Sequence, residues 1–133
     1  MSCAEQYVLL AVNGTLMRGL ELEPNMIAAK AIFQKEAKTE KTYRLWSIND
    51  IHPAMIRVAK EDTTAISVDL EVWSVPKEGL ADILLNEPAG LSIGKVKLDS
   101  GEVVLGVLGE PELVVGMKEI SAFGGWRKYI ATI

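Results

Sequence analysis

The run Asn13-Gly14-Thr15-Leu16-Met17-Arg18-Gly19 follows directly on Tyr7-Val8-Leu9-Leu10-Ala11-Val12. The apolar run has no helical period and reads as a buried strand. It ends in a turn opened by Gly14 and closed by Gly19. A residue without Cβ lets backbone N–H groups converge on one point. Such a loop at a strand end can hold a carboxylate or carbonyl oxygen, so the backbone of Asn13, Gly14, Thr15 and Leu16 is a candidate substrate-binding site. A plain strand-to-loop turn is the competing reading.

A proton carrier is the second requirement. Glu87 lies between the apolar Leu84-Leu85 and Pro88-Ala89-Gly90. A carboxylate at an apolar helix end loses hydration, which raises its pKa toward the range of a general acid or base. Glu87 is therefore the candidate catalytic group, against the alternative of a solvated turn residue. His52, the single histidine, sits before Pro53 and is a further candidate. Arg18 and Arg57 are candidates for a bidentate grip on a carboxylate. Asp69 and Glu71 point to one face of a strand by alternation, and an exposed strand face explains them more simply than a site does. No G-x-S-x-G elbow and no phosphate loop occurs. With one cysteine, Cys3, and one histidine, a His/Cys metal centre has too few ligands. No metal and no other cofactor is implied.

The elements that must position these groups are short. Strands are expected over residues 7–12, 31–37, 42–48, 55–59, 64–75, 93–98 and 102–108. Residues 49–53 read as a turn. Short helices are expected over 24–30, 76–85 and 112–117, with another after the turn in Phe123-Gly124-Gly125-Trp126. Leu80, Ile83 and Leu84 share one face of the second helix, and Pro88 ends it. The paired glycines 124 and 125 point to close backbone packing, and Trp46, Trp73 and Trp126 to core and rim positions. Asp99-Ser100-Gly101 is a hairpin turn. Without regular βαβ alternation a doubly wound parallel sheet is not expected. The fold class is α+β: a mixed, strongly bent sheet or small β-barrel with short helices outside.

At 133 residues the chain is expected to be one domain, 1–133. A net charge of −4 with scattered basic residues argues against nucleic-acid binding. No apolar run approaches the ~20 residues that span a bilayer. Glu5 interrupts any signal-peptide pattern, so the expected compartment is the cytoplasm.

Several landmarks occur in the order seen in gamma-glutamylcyclotransferase-like proteins: the strand leading to Asn13-Gly14-Thr15-Leu16, then His52-Pro53-Ala54-Met55, then Leu84-Leu85-Asn86-Glu87. Within that fold group the chain resembles the allophanate hydrolase C-terminal domain more closely. The resemblance is carried by Ser121-Ala122-Phe123-Gly124-Gly125-Trp126-Arg127-Lys128-Tyr129 and by Leu91-Ser92-Ile93-Gly94-Lys95-Val96-Lys97-Leu98-Asp99-Ser100-Gly101. It spans residues 7–130. The resemblance implies the fold, substrate binding by the 13–16 loop, and acid/base work by Glu87, the last from the cyclotransferase pattern alone. Asn13 stands where those enzymes have tyrosine, so their substrate is not implied. In the allophanate hydrolases the domain is fused to an amidase and processes an N-carboxycarbamate with loss of carbon dioxide. The chain is too short to hold that amidase and would be a free-standing version. The expectation is an enzyme or enzyme subunit acting on a small amide or carbamate-like metabolite. The alternatives are a non-catalytic module that stabilises a separately encoded amidase, and a small-metabolite binding protein. The partners expected are a small-molecule ligand and such an amidase, with a homo-oligomer left open.

Overall fold

The computed structural model describes residues 6–133; Cys3 and Glu5 lie outside them. In chain order the elements are β1 (Tyr7–Val12), α1 (Glu23–Ala28), β2 (Ile32–Lys38), β3 (Tyr43–Ile48), β4 (His52–Arg57) and β5 (Asp69–Pro76). Then come α2 (Lys77–Leu85), β6 (Leu91–Lys97), β7 (Val103–Gly109), β8 (Lys118–Glu119) and α3 (Trp126–Ile130). Short 3₁₀ turns cover Pro111–Val114 and Ser121–Phe123.

The strands form two sheets, a five-stranded one in the order β2-β5-β1-β7-β6 and a three-stranded one in the order β4-β3-β8. β1 runs antiparallel to β5, with Leu10 opposite Trp73, and parallel to β7, with Leu10 opposite Leu105. The other pairings are antiparallel, so one parallel ladder makes the larger sheet mixed. The sheets do not close into a barrel, which settles the expected alternatives in favour of the open form. β1 and β5 are central strands, and their apolar runs are buried on both faces: Leu10, Ala11, Val12, Leu70, Val72, Trp73 and Val75 are all core residues. Tyr43, Leu45 and Met55 from the smaller sheet join the same core, with Ile83 from α2 and Trp126 and Tyr129 from α3. No helix among the described residues is long and apolar enough to cross a membrane.

Four local expectations change. His52 and Pro53 belong to β4 and not to a turn. β4 is an edge strand of its sheet, where the missing N–H of proline is tolerated. Residues 64–68 lie outside β5, because Asp62 Oδ1 accepts from both Thr64 N–H and the Thr64 hydroxyl and turns the chain there. The helix expected over 112–117 is a single 3₁₀ turn, after which Gly116 takes a left-handed φ of 76°. On α2, Ile83 is buried but Leu84 is 39% exposed.

The paired glycines do pack closely. Gly124 has φ 76°, and a Cβ on Gly125 would lie 3.0 Å from Asp69 Cβ. Asp69 N–H donates to Gly124 O at 2.8 Å, which seats the start of α3 against β5.

Candidate functional site

β1 delivers the chain to the gap between the two sheets, and the loop after it folds back on itself. Met17 N–H donates to Gly14 O at 3.0 Å, and Leu22 N–H to Thr15 O at 2.9 Å. These bonds use the carbonyls of the turn. The N–H groups of Gly14, Thr15 and Leu16 donate to no acceptor among the described residues. Gly14 is required by a close approach: a Cβ there would meet Pro53 Cδ at 2.5 Å and Cγ at 2.7 Å. The proline ring of β4 thus forms one wall against the loop.

The resulting cleft is narrow, with free space of about 20 Å³ within an opening of about 260 Å³ that includes its solvent mouth, and it brings together Asn13, Gly14, Thr15, Leu16, His52, Pro53 and Glu87. Its remaining wall is apolar, from Val12, Leu91 and Val107. Asn13 is 4% exposed and donates through Nδ2 to Val107 O at 3.0 Å. That bond fixes the amide plane. His52 is 7% exposed, with Nδ1 3.0 Å from Pro53 O. A carbonyl can only accept, so Nδ1 carries a proton and donates to Pro53 O, which fixes the ring against its own strand.

Glu87 is half-buried just beyond α2, where its N–H closes the last turn on Leu84 O. Its carboxyl accepts no hydrogen bond and meets no cation among the described residues. Burial alone pushes its pKa up to about 7. A group poised near neutrality can give or take a proton at working pH.

The two candidate arginines do not line this cleft. Arg18 turns to β5, where its N–H and Nε bond the Glu71 carboxylate at 3.0 and 3.1 Å, and its guanidinium stacks over the Phe33 ring. Arg57 is exposed at the end of β4. Glu71, read from sequence as part of an exposed face, is 2% exposed. It also accepts from Trp73 Nε1 and Arg127 Nη2, each at 3.1 Å. Burial would raise its pKa. The Arg18 N–H, the Trp73 indole and the Arg18 and Arg127 guanidiniums outweigh that and hold it below the usual carboxylate value. Arg127, from the Gly-Gly-Trp-Arg run, donates to Arg18 O as well. The clasp between α3 and the 13–19 loop had no signal in the sequence beyond the motif itself. The part Val107 plays in aiming Asn13 had none.

Comparison with known proteins places these features. Residues 8–131 match the profile of the allophanate hydrolase C-terminal domain. The chain is 35% identical over 132 residues to the urea amidolyase of Lachancea kluyveri, covering 95% of this chain and 7% of that protein. Among solved structures it is similar to a uropathogenic E. coli-specific protein, at 54% identity and TM-score 0.90, covering 96% of this chain and 98% of the other. It is also similar to Kluyveromyces lactis allophanate hydrolase, at 33% identity and TM-score 0.88, covering 94% of this chain and 21% of the other. The chain thus spans a small fraction of the named enzymes. An AIG2-like protein from Mus musculus, at 18% identity and TM-score 0.60 over 82% of this chain and 83% of the other, shares the fold alone. The architecture is gamma-glutamylcyclotransferase-like.

Proposed function

We propose a function from one premise: this chain belongs to the allophanate hydrolase C-terminal domain family. The reading best supported is an enzyme or enzyme subunit acting on a small amide or carbamate-like molecule in the cleft beside residues 13–16. One observation carries it. The unclaimed N–H groups of Gly14, Thr15 and Leu16 share a small cleft with a carboxyl whose pKa lies near 7. Donors fixed in a partly dry site stabilise an anionic oxygen without reorganising, and Glu87 moves the proton.

Applied to an N-carboxycarbamate, the chemistry balances. The ionised carboxylate leaves as carbon dioxide as the C–N bond breaks. The electron pair stays on nitrogen, and protonated Glu87 supplies its proton, leaving a carbamate. The loop N–H groups hold the carboxylate that remains. His52 and Thr15 complete the lining. Arg18 acts on the loop from behind, through Glu71, and Arg57 has no part in this reading.

A second reading is a non-catalytic module that supports a separate amidase. It is favoured by the way the chain matches only 21% of K. lactis allophanate hydrolase and 7% of a urea amidolyase. The test is turnover of allophanate-derived and gamma-glutamyl compounds, with and without an amidase, by the wild type and by Glu87→Gln. Loss of about 10²–10⁴-fold in turnover with ligand binding retained is expected of a general acid. Unchanged turnover would remove Glu87 from the chemistry and leave the module reading ahead.

A further inference from the structure

Asn13 Oδ1 is an orphan acceptor at a defined place. The side-chain NH₂ of Asn13 is committed to Val107 O at 3.0 Å, with Met55 sulfur 4.0 Å away on the same nitrogen. A carbonyl cannot bond a carbonyl, so this contact decides which way round the amide sits. Oδ1 accepts no hydrogen bond among the described residues. Trp126 Nε1 is the one fully buried side-chain N or O there without a partner. Oδ1 is therefore not sealed in, although Asn13 as a whole is 4% exposed. Asn13 is among the residues that line the cleft. A nearly buried acceptor left without a donor is costly unless a ligand or solvent supplies one.

We propose that Asn13 is a specificity-determining residue whose Oδ1 reads an N–H of the ligand beside the oxygen held by the 14–16 loop. This rests on the cleft being the ligand site and narrows what it takes. The ligand presents an anionic or carbonyl oxygen to the loop and an N–H to Asn13, two functions that lie one or two bonds apart in carbamates, ureas and amidated acids. A simple carboxylate satisfies the loop and leaves Oδ1 unpaired. Selection against it follows from that lost bond, because a site built to pair an N–H discriminates against an analogue lacking one. The Val107 contact keeps the amide from flipping to offer a donor instead, so the preference has a fixed sense.

Oxamate and pyruvate test this directly, since they have nearly one shape and differ by NH₂ against CH₃ at a single position. In ¹⁵N-labelled protein, titrated shifts of the Gly14, Thr15 and Leu16 amides give the affinity of each. Oxamate is expected to bind roughly tenfold more tightly than pyruvate, the worth of about one net hydrogen bond. In Asn13→Leu, of similar shape with no acceptor, the oxamate-to-pyruvate ratio is expected to fall to about one. Equal affinities in the wild type would overturn the role of Asn13 alone. Loop amides that respond to neither compound would overturn the cleft as a ligand site, and this inference with it. A ratio that survives in Asn13→Leu would assign the selection to another group. The wild-type comparison needs no variant, so it stands even where Asn13→Leu fails to fold.

Discussion

Glu71 and Glu87 are both withdrawn from water, one on β5 and one just past α2, yet their acidities move in opposite directions. Desolvation pushes each carboxyl toward the neutral form. At Glu71 four donors answer it: the Arg18 N–H and guanidinium, the Trp73 indole and the Arg127 guanidinium. At Glu87 no donor does among the described residues, and the pKa rises to about 7. Surface exposure does not order them, since Glu71 is the less exposed of the two. Glu87 combines desolvation by its surroundings with a lack of donors, whereas at Glu71 the donors outweigh desolvation. Glu71 is a permanent anion that ties α3 to the loop after β1. Glu87 keeps the freedom to titrate that a proton carrier needs.

The sharpest way to break this contrast is Glu71→Gln. The amide keeps the shape but loses the charge, and its single oxygen cannot serve four donors. A stability loss of about 2–4 kcal/mol is expected, somewhat below that of a fully buried pair because both guanidiniums are partly exposed. Urea denaturation at neutral pH measures it, and a loss under about 0.5 kcal/mol would show the clasp to be ornamental. The wild-type contribution is complete above the ordinary carboxylate pKa. It is lost as pH falls through the lowered folded value, so the variant should lose less stability on acidification.

Glu87 should show the opposite sign. Its folded pKa lies above the unfolded value of 4.5, so the folded chain retains a proton that the unfolded chain has released. Stability should fall as pH rises from about 4.5 to about 7 and level off above, by no more than about 2 kcal/mol for a group at an open cleft. Glu87→Gln should remove that slope and be more stable than the wild type at pH 8. Carboxyl-resolved NMR titration checks the pKa itself. A midpoint near 4.5 would leave both carboxylates ionised at neutral pH and end the argument for Glu87 as a neutral-pH acid.

Arg127→Lys should have the smallest effect. Both bonds come from Arg127 Nη2, and lysine keeps the charge beside Glu71 but lacks the rigid guanidinium plane that aims one nitrogen at Glu71 and Arg18 O together. About 1 kcal/mol of stability should be lost, with faster amide exchange confined to the 13–22 loop. Exchange spread evenly over the molecule would mean that the clasp does not act on the loop.

The loop between β1 and α1 was legible in the sequence because its signals are local: an apolar run, then glycines at the turn. Glu87 was legible in the same way, as an acid placed between apolar residues and a Pro-Gly stop. The character of His52 was not. Its neighbour Pro53 reads as a turn former, and only an edge position in the smaller sheet lets it stay in a strand and wall the cleft against Gly14. Asp69 and Glu71 were assigned correctly to one strand face, but the helix that covers Glu71 begins more than fifty residues later.

The sequence by itself determined most of the short strands and helices, the family, and the glycines at 14 and 125 that permit close approaches to Pro53 and Asp69. Periodicity and turn chemistry act over a few residues, and those residues are all present in the local string. Tertiary structure alone decided which acid became a fixed anion and which stayed free to titrate. It also decided where Arg18 turned and which way Asn13 faces. Each depends on donors, acceptors and desolvating walls brought in from distant segments: Arg127 to Glu71, Val107 to Asn13, Pro53 to Gly14. Hydrogen bonds and burial act over a few ångströms of space regardless of separation along the chain, so the chemistry of the cleft was fixed only when the two sheets came together.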